Sequence, residues 1–533
     1  MPGINSGSEA LELGLNNARV AVLIMYSKII GIVFSGVSFI LVARFLGAQG
    51  YGIYVIALGF AGLASAFGST SIESYFGRYI PIWSVRKKAA RIKVAVGDGV
   101  ALAVVFGLLV LVLGGAVAFV LAPLLLHGTY ENGGFILGFA LLGAIFSIML
   151  SIFSSILISV GKGVHAAVGS SASTTTQAIL AVALVYMGFG PFGAVLGYVV
   201  GFLLGGIYTM LMVRRHAGIE LEPRGIFKRQ RDMLRFSLPL AGANVINTSM
   251  GNFAVVFLAL LFAPAVVGVY GVATKMSHII GLLANSIGMV MVPMLSYAGA
   301  GKFAKRRMDK MYKYTVFFML LFTTPIIGYL LALSGAFTVT LFTSAYPFEA
   351  ENISMISVGM LLGFVGIIAS YATISRGKVY PVLKYSLISA AVTMAGLLIF
   401  ATHFGSLGAI FAVYYLGNIV YLYFILRYNG RALGLHQSYS RIARLLVANL
   451  AVFVLLYASG MLIHANKIML VFGVVEVILA YPAVLALLGV LENEDLSVLK
   501  GLAARIAFAG WFLEIAVRYY LFLGGMINGE KEL

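Results

Sequence analysis

Long apolar runs, each broken by a short polar stretch, recur along nearly the whole chain. A helix needs about 20 residues, rising ~1.5 Å each, to cross the hydrocarbon core of a bilayer. The runs meet that length and predict fourteen spans, at 20–44, 51–74, 95–122, 134–160, 165–187, 192–213, 237–262, 266–292, 314–334, 353–375, 381–402, 407–426, 443–463 and 468–490. The segment 496–526 differs, because Lys500, Arg505, Glu514 and Arg518 interrupt it. It is expected to lie in the membrane interface as an amphipathic helix. The predicted fold class is an all-α polytopic membrane protein.

Composition strengthens this reading. The chain is 61% hydrophobic and 10% charged, with a mean hydropathy of +1.02. Soluble globular chains carry about 25% charged residues. The formal charge of +18 raises nucleic acid as a partner, but its distribution argues otherwise. Of 36 Lys and Arg, 27 fall in the loops after spans 2, 4, 6, 8, 10 and 12. That is the positive-inside bias. It places both termini in the cytoplasm and accounts for the charge without nucleic acid. The first eighteen residues hold Glu9 and Glu12 and lack the pattern of a cleavable signal, so the first span is expected to act as its own insertion signal.

There is no cysteine, hence no disulfide, thiol chemistry or cysteine metal site. The seven His show no ligand spacing, so no metal site is expected. No phosphate-binding glycine loop, paired carboxylates or nucleophile elbow is present either. No cofactor and no catalytic residue are expected, which favours a transporter over a membrane enzyme.

The chain also resembles itself at an offset of 216 residues. "ISVGKGVHAAVGSSAS" at 158–173 aligns with "ISRGKVYPVLKYSLIS" at 374–389, matching Gly161 with Gly377 and Lys162 with Lys378. "GIYVIA" at 52–57 aligns with "GVYGVA" at 268–273. The unit is six spans long, so both copies enter the membrane from the same side as parallel repeats. The expected organisation is a first lobe at 1–213, a linker at 214–236 and a second lobe at 237–430. Appended spans follow at 431–490, then an interfacial tail at 491–533. The lobes would be related by a pseudo-twofold along the membrane normal, with the substrate between them.

Polar groups inside spans are costly, and they mark function or helix packing. Lys28, Gly31, Ser35 and Ser38 share one face of span 1. Lys28 lies roughly 12 Å into the membrane, far for snorkelling. The repeat maps Lys28 onto Asn244 and Gly31 onto Asn247 in span 7. Span 8 carries Gly271, Lys275, His278 and Asn285, with Thr274 beside them. Span 5 holds the hydroxyl run "GSSASTTTQ" at 169–177. Each feature has a structural reading too. Hydroxyls and glycines pack helices closely. Lys28 pairs with Glu73 or Asp98, which are also candidates for Arg78. Arg44 anchors the membrane interface, and His278 is a packed core histidine.

Three stretches carry a family resemblance: "ARFLGAQGYGIYVIALG" at 43–59, "LRFSLPLAGANVI" at 234–246 and "GVYGVATKM" at 268–276. They resemble prokaryotic polysaccharide or oligosaccharide flippases of the multidrug/oligosaccharidyl-lipid/polysaccharide exporter superfamily. The resemblance implies a multi-pass protein of the prokaryotic plasma membrane. It implies movement of a lipid-linked oligosaccharide, on a polyprenyl or dolichyl phosphate or pyrophosphate, to the outer leaflet through a cationic cavity. Lys28, Lys275, Arg44 and His278 would then hold the anionic head group. Ser35, Ser38, Asn244, Asn247, Thr274 and Asn285 would line the sugar path. Membrane lipids and glycan-synthesis enzymes are the expected partners of a monomer. One alternative is a Na+- or H+-coupled multidrug/cation antiporter of the same superfamily. Such antiporters use membrane-embedded carboxylates in the first lobe, whereas span 1 offers Lys28 and no acid. The others are a lipid II-type flippase and a scaffold for glycan synthesis.

Overall fold

The computed structural model describes residues 6–86, 88–220, 222, 226–276, 304–342, 349–376, 378–404, 407–463, 466–503 and 510–528; within these helices, side chains including those of Lys28, Arg78, Asn244 and Asn247 lie outside the description. Among the described residues every regular element is helical. Eight helical stretches among them are long and apolar enough to cross a membrane, and one of these, Gly163–His216, contains two helices.

Helix α1 runs Ser6–Val85 and joins the first two expected spans. It breaks at Gly47, with φ 65° and ψ 177°. That conformation penalises any side chain with a Cβ, so glycine holds the turn. The helices that follow are α2 (Ala89–Leu125), α3 (Gly133–Ser159), α4 (Gly163–Leu184), α5 (Gly190–His216) and α6 (Ile226–Leu261). Next come α7 (264–276), α8 (Ala304–Ala332), α9 (Ser334–Phe342), α10 (Glu349–Ser375), α11 (Val379–Phe404) and α12 (Leu407–Tyr428). The chain closes with α13 (Tyr439–Leu462), α14 (Asn466–Leu487), α15 (Asn493–Ala503) and α16 (Gly510–Asn528).

Several helices run beyond their apolar windows. The second half of α1 continues to Val85 because Phe76 and Ile80 are buried in a core with Val96, Ile152, Phe153 and Ile156. Helix α6 begins at Ile226, inside the expected linker. The tail expected as one amphipathic helix is two, α15 and α16.

The chain divides into two compact units, Met1–Gly271 and Val272–Leu533. The division falls after span 7, not in the linker at 214–236. The physical reason is that α6 lies tightly on α1: a Cβ at Gly59 would come within 2.7 Å of Val255, and one at Gly62 within 2.5 Å of the Asn252 amide.

In the first unit α4 and α5 pack backbone to backbone. Gly197, Gly201 and Gly205 recur every fourth residue on α5. A Cβ there would lie 2.6 Å from the Ala181 nitrogen, 2.7 Å from the Ser173 carbonyl oxygen and 2.9 Å from the Gly169 carbonyl oxygen, respectively. Small residues at this spacing let membrane helices approach closely. The hydroxyl run of span 5 is therefore a packing surface, with Ser173 buried in it.

The second unit repeats the contact 216 residues later. Gly417 on α12 faces the Ser389 carbonyl oxygen of α11, where a Cβ would lie 3.3 Å away. Helices α13 and α14 pack on α8. The Tyr329 hydroxyl donates to the Leu470 carbonyl at 2.9 Å, and the Tyr481 hydroxyl to that of Leu321 at 2.8 Å. The start of α15 is tied down by charge. Lys310 meets Glu494 at 2.6 Å, while Arg441 pairs with Asp495 and lies 4.3 Å over the Phe317 ring.

Candidate functional site

The polar face of α1 is the place to begin. At its middle the face is closed by α4. A Cβ on Gly31 would lie 3.8 Å from Thr174, and the Ser38 hydroxyl donates to the Ala178 carbonyl at 3.0 Å. Two features read separately from the sequence, the stripe of span 1 and the hydroxyl run of span 5, thus meet each other. Ser38 is buried and spent on this crossing, which corrects its expected place on the sugar path. Ser35, between Gly31 and Ser38 in sequence, is half-exposed. Lys28 lies in α1 one turn before Gly31, and its side chain is outside the described set.

The carboxylates have other partners than those expected. Asp98 is 1% exposed and takes a two-pronged contact from Arg229 of α6, Nε at 2.5 Å and Nη2 at 3.0 Å. Fork-to-fork geometry is the strongest form of this pairing. Arg229 also donates to the Glu222 carbonyl at 2.6 Å, and Gln230 donates to the Asp98 carbonyl at 3.4 Å. The start of α6 is thereby clamped to α2. Asp98 is therefore assigned to Arg229, where the sequence offered Lys28 or Arg78. Glu73 is half-buried, with Ser151 hydrogen-bonded to its carboxyl group and Ser155 donating to its carbonyl at 3.0 Å.

Of the expected cations, Arg44 is exposed near the end of the first half of α1, three residues before the Gly47 break. Lys275 is exposed on α7, beside the half-buried Thr274. His278 and Asn285 lie outside the described residues, as do the side chains of Asn244 and Asn247. Sequence reasoning missed two residues. Arg229 was one of seven cations in a basic loop, with no local sign of its partner. Asn252 was passed over although it follows Asn244 and Asn247 along α6, and its amide fills the notch at Gly62. Among the described residues no group of three or more His, Cys, Asp or Glu could hold a metal.

The comparisons agree with this architecture. The family model described as "Polysaccharide biosynthesis protein" matches residues 18–298, more than half of the chain. The chain belongs to the polysaccharide biosynthesis protein family. No curated protein matches by sequence. As a member of the family, the chain shares its fold with a solved structure described as lipid II flippase MurJ in an inward closed conformation. That likeness has a TM-score of 0.72 at 15% identity and covers 88% of this chain and 98% of the other. It is also similar to an inward-facing multidrug resistance MATE family transporter of the MOP superfamily. There the TM-score is 0.61 at 17% identity, covering 76% of this chain and 94% of the other. The family member described here is a multi-pass membrane protein built on that transporter fold.

Proposed function

We propose that this protein is a flippase that carries a lipid-linked oligosaccharide from the cytoplasmic to the outer leaflet of a prokaryotic plasma membrane. Fourteen spans form two parallel six-helix lobes and an appended pair, with both termini in the cytoplasm. The lobes rock about a central path. Lys28 and Lys275 hold the phosphate of the carrier, with Arg44 and His278 flanking it. Ser35, Asn244, Asn247, Thr274 and Asn285 face the sugar. The protein works as a monomer beside the enzymes that build the glycan.

The observation that carries this reading is the repeated packing. Gly201 on Ser173 in one unit and Gly417 on Ser389 in the other are the same contact made 216 residues apart. A duplicated bundle in a polysaccharide biosynthesis family supports alternating access for a glycan precursor. The MATE likeness favours a second reading, the cation-coupled antiporter. Such a protein needs a membrane carboxylate free to titrate, and Asp98 is held by Arg229. That weighs toward the flippase.

The test is head-group flipping in proteoliposomes with lipid-linked oligosaccharide, comparing wild type with Lys28→Gln and Lys275→Gln. Each variant is expected to insert normally and lose at least tenfold in rate. Wild-type rates in both variants would remove the cationic clamp. Na+- or H+-driven efflux of an organic cation, with no lipid flipping, would establish the antiporter instead.

A further inference from the structure

The two copies of the repeat touch each other through equivalent residues. Ala48 and Pro264 are 216 positions apart, as are Gly52 and Gly268, and Val55 and Gly271. A Cβ on Gly52 would overlap the Pro264 carbonyl oxygen and lie 3.1 Å from the Gly268 nitrogen. A Cβ on Gly268 would overlap the Ala48 carbonyl oxygen and lie 3.0 Å from the Gly52 nitrogen. The contacts are exchanged between the copies. One further turn along α7, Gly271 rests on Val55, its own counterpart, at 2.6 Å from Cβ to Cγ2.

Residues related by a twofold axis can touch only where the axis passes between them. The crossing of α1 with α7 therefore sits on the internal axis, where a path between the copies must run. It is also sealed. Tyr51, Ile53, Val267, Val269 and Tyr270 are all buried around it. The seal is local, since Lys275, less than two turns beyond Gly268, is exposed.

Its side of the membrane follows from charge. The crossing adjoins the break at Gly47 and the start of α7 at 264. The basic residues Arg86, Lys88 and Arg91 lie at the opposite end of α1, beyond Val85. By the positive-inside bias that opposite end is cytoplasmic. We propose that the Gly52–Gly268 crossing is the outer gate of the protein, shut in this structure and opened once per transport cycle. This rests on the flippase reading for its cycle, but its position rests on the contacts alone. A glycine-on-glycine contact suits such a gate, because it excludes water when closed and has no side chain to unlock when the helices part.

The absence of native cysteine makes the test clean. The Val55 Cβ lies 3.3 Å from the Cβ position at residue 271, and disulfides span about 3.5–4.5 Å between Cβ atoms. Val55→Cys with Gly271→Cys is expected to cross-link in the membrane under oxidant. Flipping should then fall at least tenfold and return on reduction, with each single variant indifferent to oxidant. Cross-linked protein that flips at the reduced rate, or a pair that never links, would overturn the gate. A second measurement needs no substrate. Ala48→Cys should react slowly with a membrane-impermeant maleimide added outside. Adding Gly52→Ala, whose methyl group collides with Pro264, should speed the reaction at least threefold. Gly77→Ala, with open space around it, should leave the rate unchanged. Equal rates in all three backgrounds, or reaction only from the cytoplasmic side, would refute an outer gate. If wild type flips no lipid-linked oligosaccharide, the functional reading fails while the labelling still decides the gate.

Discussion

Asp98 shows how a single residue can be visible in a sequence while its role is not. A carboxylate in an apolar run must find a cation or a shell of donors, and that much was legible. The partner, Arg229, is 131 positions away in a loop crowded with cations, and only folding selects among them. Breaking the pair from either side leaves a buried group uncompensated. Asp98→Asn or Arg229→Gln is expected to cost about 3 kcal/mol, the low end for a buried pair because Arg229 is part-exposed. Thermal unfolding in detergent should show the double variant costing clearly less than the sum of the two singles. Strict additivity would mean the two groups do not stabilise each other. Ser38 makes the opposite case, a polar residue whose sequence context suggested substrate and whose hydrogen bond to Ala178 is structural. Ser38→Ala is expected to lower stability by about 1 kcal/mol and leave flipping intact. Slower flipping at unchanged stability would return it to the transport path.

At the scale of the helix, the apolar runs located the spans because lipid demands them, but they did not mark where the helices end. Backbone hydrogen bonding carries α1 on to Val85 and starts α6 at Ile226, since aromatic and charged side chains find protein partners beyond the membrane. The glycines of α5 also divide by environment, which no one-dimensional pattern shows. Gly201 abuts the Ser173 carbonyl, whereas Gly138 on α3 has nothing within 4 Å of its Cβ position. Gly201→Ala should cost about 1–3 kcal/mol through overpacking. Gly138→Ala should be neutral or stabilise by up to about 1 kcal/mol through reduced backbone entropy. Unfolding midpoints that move both variants in the same direction would contradict the packing assignment. The docking of α15 is a matter of charge. Hydrogen bonds from Lys310 and Tyr314 hold the Glu494 carboxyl below its usual range. A lowered folded value means that its contribution is present above the ordinary carboxylate range and lost as pH falls through the lowered value. Hydrogen exchange across 493–503 should stay slow from neutral pH down to ordinary carboxylate titration, then rise in more acidic solution. Glu494→Gln should exchange faster at neutral pH and lose that acid-side step.

For the whole molecule, the duplication was legible as an offset, while the way the copies share helices was not. Repeat arithmetic places span 7 with the second copy, yet packing places α6 against α1. Both statements hold, because the copies are interlocked at one end by Gly59 on Val255, Gly62 on Asn252 and the Asp98–Arg229 clamp. Connectivity through the linker then matters less than these contacts. A chain cut once between Glu220 and Ile226 separates the clamp's two residues in covalent terms and leaves every one of the contacts intact. The two fragments, co-expressed with a tag on one, are therefore expected to co-elute as a single species of intact size in mild detergent. Combining the cut with Arg229→Gln and Gly59→Leu should release the untagged fragment, since the first variant leaves Asp98 buried without its cation and the second drives a bulky side chain into Val255. Fragments that already part with the native contacts present would show that the linker, and not the α1–α6 interface, holds the copies together.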